Sequence, residues 1–284
     1  QKFGGTSVGD LERIENVAGI ISSEVRKNNK VIAIVSAMSG ETNRLIEQVK
    51  KTSPVYDGRE YDVIVSTGEN ITAGLLAIKL QNLGIPARSW MGWQIPIITT
   101  SMHSNARILE VKTDNIEKKF LEGMKVAIVS GFQGISKENR ISTLGRGGSD
   151  TTAVAISAAF NAKRCDIFTD VEGIFTTDPR IVKSARKLDK ISYEEMLELA
   201  SLGAKVLHTR SVELAMRYNV NLQVLSSFQE KIGTLVCRED KMLESRMISG
   251  VASSKDEAKV TLSGVLDKPG IAAAMFGPLS DSGI

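Results

Sequence analysis

Short apolar segments rich in β-branched residues alternate along the chain with longer segments of helical periodicity. Five segments have the composition of strands, and they span residues 31–36, 62–66, 125–130, 165–169 and 221–225. An early helix is indicated by an apolar stripe that consists of Leu11, Ile14, Val17, Ile21 and Val25. Because the two patterns alternate, we predict an α/β domain with a largely parallel sheet.

Two further segments have clear helical signals. Residues 150–162 are mostly small, which suits a helix that packs closely on a sheet. Ser192 and Glu195 have the spacing of a capping box ahead of an apolar run that begins at Met196. We therefore expect a helix to begin just after Ser192.

A change of composition divides the chain into two parts. Polar and charged residues concentrate in the segment 229–249, so we predict a first domain over 1–228, a linker over 229–249 and a partial second domain over 250–284. The second part has a predicted strand at 258–265 and an apolar segment of helical length at 271–279. We expect both ends of the sequence to be truncated, because Gln1 falls within the end of a strand and Ile284 directly follows Gly283.

Composition narrows the possible partners and the compartment. The 284 residues are 42% hydrophobic and 24% charged, which is typical of a globular protein, and the net charge of +3 is spread along the chain. A nucleic-acid partner is therefore not predicted. Cys165 and Cys237 match no metal-binding spacing, which favours a reducing cytoplasm, and no apolar run reaches the roughly 20 residues of a membrane span.

Four predicted strand-to-helix turns contain the residues that carry chemistry. They span 2–7, 36–42, 66–69 and 145–150. The first combines a lysine, two glycines and two hydroxyls, as an anion site requires, whereas the second and third could each be an ordinary capped turn. Ligands of α/β sheets bind beyond the carboxyl ends of the strands, so these turns are the candidate site.

The fourth turn exposes an arginine among glycines. Arg146 lies in Gly145-Arg146-Gly147-Gly148-Ser149-Asp150, and its planar guanidinium can bind a carboxylate through two parallel hydrogen bonds. Asp150 replaces the last glycine of a dinucleotide-binding motif, and the chain has no phosphate-loop lysine motif. The turn therefore favours an acidic small molecule as the ligand.

Several of these segments closely resemble motifs of the aspartokinases. The resemblance rests on Lys2-Phe3-Gly4-Gly5-Thr6-Ser7 and on the segments 143–150, 168–180 and 200–208. Residues 265–284 also resemble the first strand, loop and helix of an ACT regulatory domain. The resemblance covers nearly the whole chain.

The resemblance implies a fold and an activity. The fold is a three-layer αβα sandwich with a mainly parallel sheet, the amino-acid kinase fold, followed by a partial α+β ACT domain. The activity is the ATP-dependent phosphorylation of the side-chain carboxylate of aspartate, the first step of lysine, threonine and methionine biosynthesis. It also implies ATP and Mg²⁺ as cofactors, lysine or threonine as an effector, a homo-oligomer and no dedicated metal-binding residues.

The resemblance also assigns residues to roles. The catalytic residues would be Lys2, Asp150 and Lys205. The nucleotide would be bound by Lys2, Gly4, Gly5, Ser7, Thr169, Asp170, Phe175, Arg180 and Lys205, with Phe175 packing its ring where many relatives are expected to have tyrosine. Aspartate would be bound by Ser36, Thr42, Glu69, Arg146, Gly147, Gly148 and Ser149. The effector would be bound by Asp267, Lys268, Pro269, Gly270 and Ile271, although this turn could also be merely a tight connection.

Two alternatives stay open at this point. A catalytically silent amino-acid sensor would need a broken phosphate site, but Lys2, Asp150, Asp170 and Lys205 are all present. A sister kinase could act on another acidic amino acid. An aspartate carboxylate is already ionised at neutral pH and needs no general base, so we expect His103 and His208 to be structural.

Overall fold

The computed structural model describes residues 1–204, 206–239, 249–252 and 269–281. The chain forms two compact units, Gln1–Ser253 and Ser254–Ile284. Lys205, the predicted strand at 258–265, and Asp267 and Lys268 of the predicted effector site lie outside the described residues.

The strands and helices of the described residues follow one another in this order. The strands are β1 (Lys2–Phe3), β2 (Val31–Val35), β3 (Ala87–Trp90), β4 (Ile97–Thr99), β5 (Ile108–Val111), β6 (Val126–Ser130), β7 (Gln133–Ser136), β8 (Ile141–Thr143), β9 (Cys165–Thr169), β10 (Lys190–Ser192), β11 (Leu222–Ser226) and β12 (Thr234–Cys237). The helices are α1 (Leu11–Arg26), α2 (Glu41–Thr52), α3 (Gly58–Val65), α4 (Thr67–Asn82), α5 (Asp114–Leu121), α6 (Gly148–Ala159), α7 (Tyr193–Ser201), α8 (Thr209–Tyr218) and α9 (Ile271–Asp281). A 3-10 helix, Gly5–Val8, joins β1 to α1.

The large unit is built on an eight-stranded sheet. Its strand order is β10-β12-β11-β9-β1-β2-β6-β3, and each neighbouring pair is parallel except β11 and β12. A second sheet has the order β5-β4-β7-β8. The parallel strands place their carboxyl ends at one edge of the large sheet.

Each face of the large sheet is covered by its own hydrophobic core. Val31, Ala33 and Val35 of β2 pack with α1 and α4, whereas Ile34 packs with α6, α7 and α8 on the opposite face. Successive residues of a strand point to opposite faces, so a continuous apolar strand such as β2 serves both cores. The three-layer αβα sandwich with a mainly parallel sheet is therefore confirmed.

The helix starts agree with the sequence signals where a side chain forms the cap. Ser192 accepts a hydrogen bond from the Glu195 N–H at 3.1 Å, and the Glu195 carboxylate accepts one from the Ser192 N–H at 2.9 Å. This is the predicted capping box at the start of α7. Asp10 and Asp57 cap α1 and α3 in a similar way.

The prediction of a strand at 62–66 was wrong. These residues lie at the end of α3, which Asp57 caps by accepting a hydrogen bond from the Arg59 N–H at 2.7 Å. The helix buries Asp62 and Val65, which are three residues apart and therefore share one face. A short apolar run has too few residues to distinguish the periodicity of a helix from the alternation of a strand.

Two other elements differ from the sequence analysis. Thr234–Cys237, which the sequence analysis placed inside the linker, is β12 and pairs with both β10 and β11. The four-stranded sheet was not predicted, because its strands are only three or four residues long. The domain bounds at 228 and 250 otherwise stay a prediction.

Helices α3 and α4 together form one apolar stretch. The segment Gly58–Asn82 is long and apolar enough to cross a membrane by length and composition alone. Half of its most apolar part is buried inside the protein. Core helices of soluble proteins meet the same criterion, so the segment is weak evidence for a span.

In the small unit the described residues form one helix. The helix α9 follows Gly270, which has a φ of +88°, and contains Pro278. The predicted helical segment at 271–279 is therefore confirmed.

Candidate active site

A cavity of about 1160 Å³ lies at the carboxyl edge of the large sheet, among the turns that follow β1, β2 and β9. Many of the residues that were predicted from the sequence line it: Lys2, Gly4, Gly5, Ser36, Thr42, Glu69, Arg146, Gly147, Gly148, Ser149, Asp150 and Asp170. These residues come from five separate parts of the chain. The parallel topology brings three of these parts together, because it places the ends of β1, β2 and β9 side by side, whereas Glu69 comes from the first turn of α4 and residues 146–150 come from the turn after β8 and the start of α6.

Three helices begin at this cavity without a side-chain cap. They are the 3-10 helix Gly5–Val8, α2 and α6, and their N-cap residues are Gly4, Gly40 and Gly147. The first amides of a helix have no partner inside the helix, and the helix dipole makes this end positive. The first N–H groups of α2 and α6, which belong to Glu41 and Gly148, donate to the carbonyl oxygens of Met38 and Gly145, so the cavity offers an anion such as a phosphate the N–H groups that follow them.

The glycines at the start of α6 are required by space as well as by conformation. Gly147 has a φ of +68°, and a Cβ atom there would lie 2.5 Å from the Cβ of His208. A Cβ atom on Gly148 would lie 2.7 Å from the ring of Phe132. Larger residues would push the helix start away from the cavity.

Lys2 and Asp150 form an ion pair across the cavity floor. The Lys2 Nζ lies 2.7 Å from Asp150 Oδ1, and the two side chains are only 11% and 13% exposed. Lys2 belongs to β1 and Asp150 to the first turn of α6, so the pair joins two of the segments that line the cavity. The carboxylate fixes the position of the ammonium group.

Glu69 is a buried carboxyl group with unsatisfied hydrogen-bonding capacity. It lies in the first turn of α4, where it is 3% exposed, and its Oε1 accepts a hydrogen bond from the Ala37 N–H at 3.1 Å. Oε2 is buried and has no partner among the described residues. Burial raises the pKa of Glu69 to about 7. A cationic group of a ligand next to this buried carboxyl group would stabilise its ionised form.

Arg146 is the complementary charged group. It is exposed in the turn between β8 and α6, and no carboxylate of the described residues pairs with it. Nearby, Ser36 donates a hydrogen bond from Oγ to the Oγ of Ser149 at 3.0 Å. The cavity thus contains a guanidinium and a buried carboxyl group that are both available to a ligand.

Four of the predicted nucleotide residues do not line the cavity. Ser7 is buried and shares a hydrogen bond of 2.8 Å with Ser227, and Thr169 donates to Asp170 at 3.1 Å. Phe175 is partly buried, and Arg180 is exposed and paired with Asp178 at 2.8 Å. Their roles toward a nucleotide stay predictions.

Several residues that line the cavity were not found from the sequence: Asn43, Ile46, Lys50, Tyr56, Tyr61, Ser104, Asn105, Phe132, His208 and Arg210. Ser104 and Asn105 belong to a loop of the smaller sheet, and no local signal connects that loop to the turns of the large sheet. His208 lies on the cavity wall beside Gly147, and its expected structural role stays a prediction.

The described part of the chain has no group of three or more His, Cys, Asp or Glu residues arranged to hold a metal ion. Asp150 and Asp170 are the aspartates that line the cavity. Carboxylate oxygens are ligands that Mg²⁺ accepts, and Mg²⁺ commonly takes one or two of them together with phosphate oxygens and water. The residues present therefore fit an ion that is held mainly by a bound nucleotide.

Comparisons with known proteins point to one family. Residues 1–226 match the model of the amino acid kinase family. An aspartate kinase of Pseudomonas putida is 52% identical over 285 residues, which cover 100% of this chain and 69% of that protein. Structures of Escherichia coli aspartokinase III in complex with aspartate and ADP, and in complex with lysine and aspartate, are both 29% identical and have TM-scores of 0.76 and 0.74. Each alignment covers 84% of this chain and 64% of the E. coli chain.

Proposed function

This chain belongs to the amino acid kinase family, and we propose that it is an aspartate kinase, which transfers the γ-phosphoryl group of ATP to the side-chain carboxylate of aspartate. The observation that carries the proposal is the composition of one cavity. It combines the Lys2–Asp150 pair and three uncapped helix starts with the buried Glu69 and with Arg146, which has no carboxylate partner among the described residues. The first group suits phosphates, and the second suits an amino acid.

The bound amino acid would be oriented by its two charges. Arg146 binds the α-carboxylate through its planar guanidinium, and Glu69 binds the α-ammonium through Oε2. Ser36 and Thr42, which line the same cavity, offer hydroxyl groups to the ligand. With both α-groups held, the side-chain carboxylate is left to face the phosphates.

The transfer itself needs charge stabilisation more than proton transfer. The side-chain carboxylate forms a bond to the γ-phosphorus while the bond to the β–γ bridging oxygen breaks, and ADP leaves with that electron pair. Both reactants are anions, so Lys2 and the backbone N–H groups at Gly5 and the start of α6 stabilise the negative charge, while the N–H of Gly4 donates to the carbonyl oxygen of Phe168 at 3.3 Å. Asp150 holds Lys2 in place, and Lys205 is proposed as a second cation.

The nucleotide brings the metal ion. We propose that Mg²⁺ is held chiefly by the phosphates of ATP, with Asp150 or Asp170 as the available carboxylates, and that it supplies further neutralisation of phosphate charge. The residues Thr169, Phe175, Arg180 and Ser7 are proposed to shape the nucleotide side.

An amino-acid effector would regulate the enzyme. We propose that lysine or threonine is an effector, since one E. coli structure is named as a complex with lysine and aspartate. The turn at Pro269, Gly270 and Ile271, with Asp267 and Lys268, is proposed as part of the effector site of a partial ACT domain. We also propose a homo-oligomer in the cytoplasm, without nucleic-acid or membrane partners.

The test is a coupled assay that measures the release of ADP from MgATP, with aspartate and with glutamate as separate acceptors. We expect turnover with aspartate and little with glutamate, whose side chain is one methylene longer. Equal turnover would indicate a kinase of broader acidic specificity. No turnover with either acceptor would favour the silent amino-acid sensor.

A further inference from the structure

Asp62 is a fully buried carboxyl group outside the cavity. It lies on α3 with 0% exposure and no basic side chain other than His103 pairs with it among the described residues. Burying a carboxylate is costly unless it is fully hydrogen-bonded. Such a residue is expected to organise the structure around it.

Both oxygens of Asp62 are saturated by donors from two other segments. Thr143, at the end of β8, donates from its N–H at 3.0 Å and from its Oγ1 at 2.6 Å. Ser104 donates from its N–H at 3.0 and 3.1 Å to the two oxygens, and the Nδ1 of His103 lies 2.7 Å away. Asp62 therefore ties α3 to the end of β8 and to residues 101–105, which we call the His103 loop.

The His103 loop forms the wall behind Arg146. Ser104 and Asn105 line the cavity, and a Cβ atom on Gly145 would lie 3.0 Å from the Oδ1 of Asn105 and 3.2 Å from the carbonyl oxygen of Ser104. Gly145 directly precedes Arg146 and has a φ of +75°. The backbone at Gly145 is therefore packed against the loop that Asp62 fixes.

A second residue fixes the same wall from the opposite side. Arg210, on α8, donates to the carbonyl oxygen of Leu144 at 2.7 Å and to that of Ala106 at 2.6 Å. The Ala106 N–H in turn donates to the carbonyl oxygen of Thr143 at 2.8 Å. The segments 104–106 and 143–145 are thus joined to each other and held at both sides.

The side chain of Arg146 is not held by comparable hydrogen bonds in the described part of the chain. Its side chain is exposed, it has no salt-bridge partner in the described part of the chain, and it is flanked by Gly145 and Gly147, both with positive φ. The location of its guanidinium depends on where the backbone of this turn is placed. That placement is set by the wall.

We propose that Asp62 is a positioning residue for the amino-acid substrate, which acts by holding the His103 loop and the end of β8 so that Arg146 meets the substrate carboxylate. The role of Arg146 rests on the proposed function. Asp62 is fully buried and does not line the cavity, so its loss should raise the Michaelis constant for aspartate and leave that for ATP unchanged. In Asp62→Asn a side-chain NH₂ group replaces one of the two acceptor oxygens, so a donor lies opposite another donor and that hydrogen bond is lost.

The experiment is steady-state kinetics of Asp62→Asn on the 284-residue chain. We expect the Michaelis constant for aspartate to rise about tenfold, with that for ATP and the turnover number within about twofold of the original. Thr143→Val, which removes one donor, is a milder second variant if Asp62→Asn does not fold. The matched control is Asp166→Asn, since Asp166 is also buried but pairs with Arg164 at the amino end of β9.

A double-mutant cycle separates positioning from general destabilisation. If Asp62 acts through Arg146, Asp62→Asn should add little to the Michaelis constant for aspartate in the background of Arg146→Ala. A full tenfold effect in that background overturns the proposal, and so does an equal rise of both Michaelis constants.

Hydrogen exchange provides a readout that does not depend on activity. In Asp62→Asn we expect faster exchange in peptides that cover 101–106 and 143–147, and no change in peptides from α1. Unchanged exchange at 143–147 overturns the proposal whatever the substrate is. If the original chain lacks aspartate-dependent turnover, the proposed function fails, and the exchange data alone decide whether Asp62 positions this turn.

Discussion

The buried carboxyl group of Glu69 leads to a prediction about stability and pH. Glu69→Gln keeps the size of the side chain but removes its charge. Burial raises the pKa of Glu69 from its ordinary value of 4.5 to about 7, so the folded protein binds this proton more tightly than the unfolded chain does. Between these two pH values the free energy of unfolding must fall as the pH rises, because the folded state binds more protons.

The size of the effect follows from the two pKa values. The difference between 4.5 and about 7 is about 2.5 pH units, which corresponds to about 3 kcal/mol at 1.36 kcal/mol for each unit. About 2 kcal/mol of this loss falls between about pH 5.5 and about pH 8. Glutamine does not titrate, so Glu69→Gln should gain about 2 kcal/mol relative to the original protein over that interval.

The assay is urea unfolding of both proteins, without ligands, at about pH 5.5 and about pH 8. When the unfolding is repeated with aspartate, the stability advantage of Glu69→Gln at the higher pH should become smaller. The ammonium group of aspartate pairs with the ionised Glu69 and stabilises the original protein, whereas the neutral amide introduced by Glu69→Gln cannot replace that charge. A stability difference that stays constant with pH would show that Glu69 has an ordinary pKa. An aspartate affinity that is unaffected by the substitution would remove Glu69 from the substrate site.

Three further substitutions test separate parts of the structure. Arg146→Lys keeps the charge but loses the planar fork, so the Michaelis constant for aspartate should rise about 10- to 100-fold while that for ATP does not, and an unchanged aspartate value would contradict this role. Lys2→Ala should lower turnover about 100-fold with an intact circular dichroism spectrum; a rate above half of the original would exclude Lys2 from charge stabilisation. Tyr193→Phe removes the donor to the Val220 carbonyl at 2.8 Å and should cost about 1 kcal/mol in urea unfolding, whereas no loss would mean that this carbonyl finds water.

The sequence predicted the parts of the fold that have a local cause. β2 and the first four residues of β6 are continuous apolar runs, and such runs are typical of strands buried on both faces, whereas β9 and β11 each include a polar residue, Asp166 or Gln223, among their apolar residues. The capping box at Ser192 was readable for the same reason, since both of its hydrogen bonds join residues three positions apart. The end of α3 was predicted to be a strand because five residues are too few to distinguish the periodicity of a helix from the alternation of a strand.

The site was only partly predictable, for reasons of topology. The glycine turns at β1, β2 and α6 could be found because each carries its own chemistry in consecutive residues. Asn105 and Arg210 could not, because tertiary pairing between the smaller sheet, α8 and the turn at Gly145 brings them to the cavity. The raised pKa of Glu69 likewise depends on burial by distant segments.

In the proposed function, one cavity holds aspartate by its α-groups and presents its side-chain carboxylate to ATP. The most direct measurement is to run the reaction with MgATP and aspartate in the presence of hydroxylamine, which converts an acyl phosphate to a hydroxamate, and to identify the product. If aspartate is held in this way, the product is the hydroxamate of the side-chain carboxyl, formed in proportion to the ADP released. The hydroxamate of the α-carboxyl, or ADP release without any hydroxamate, would contradict it.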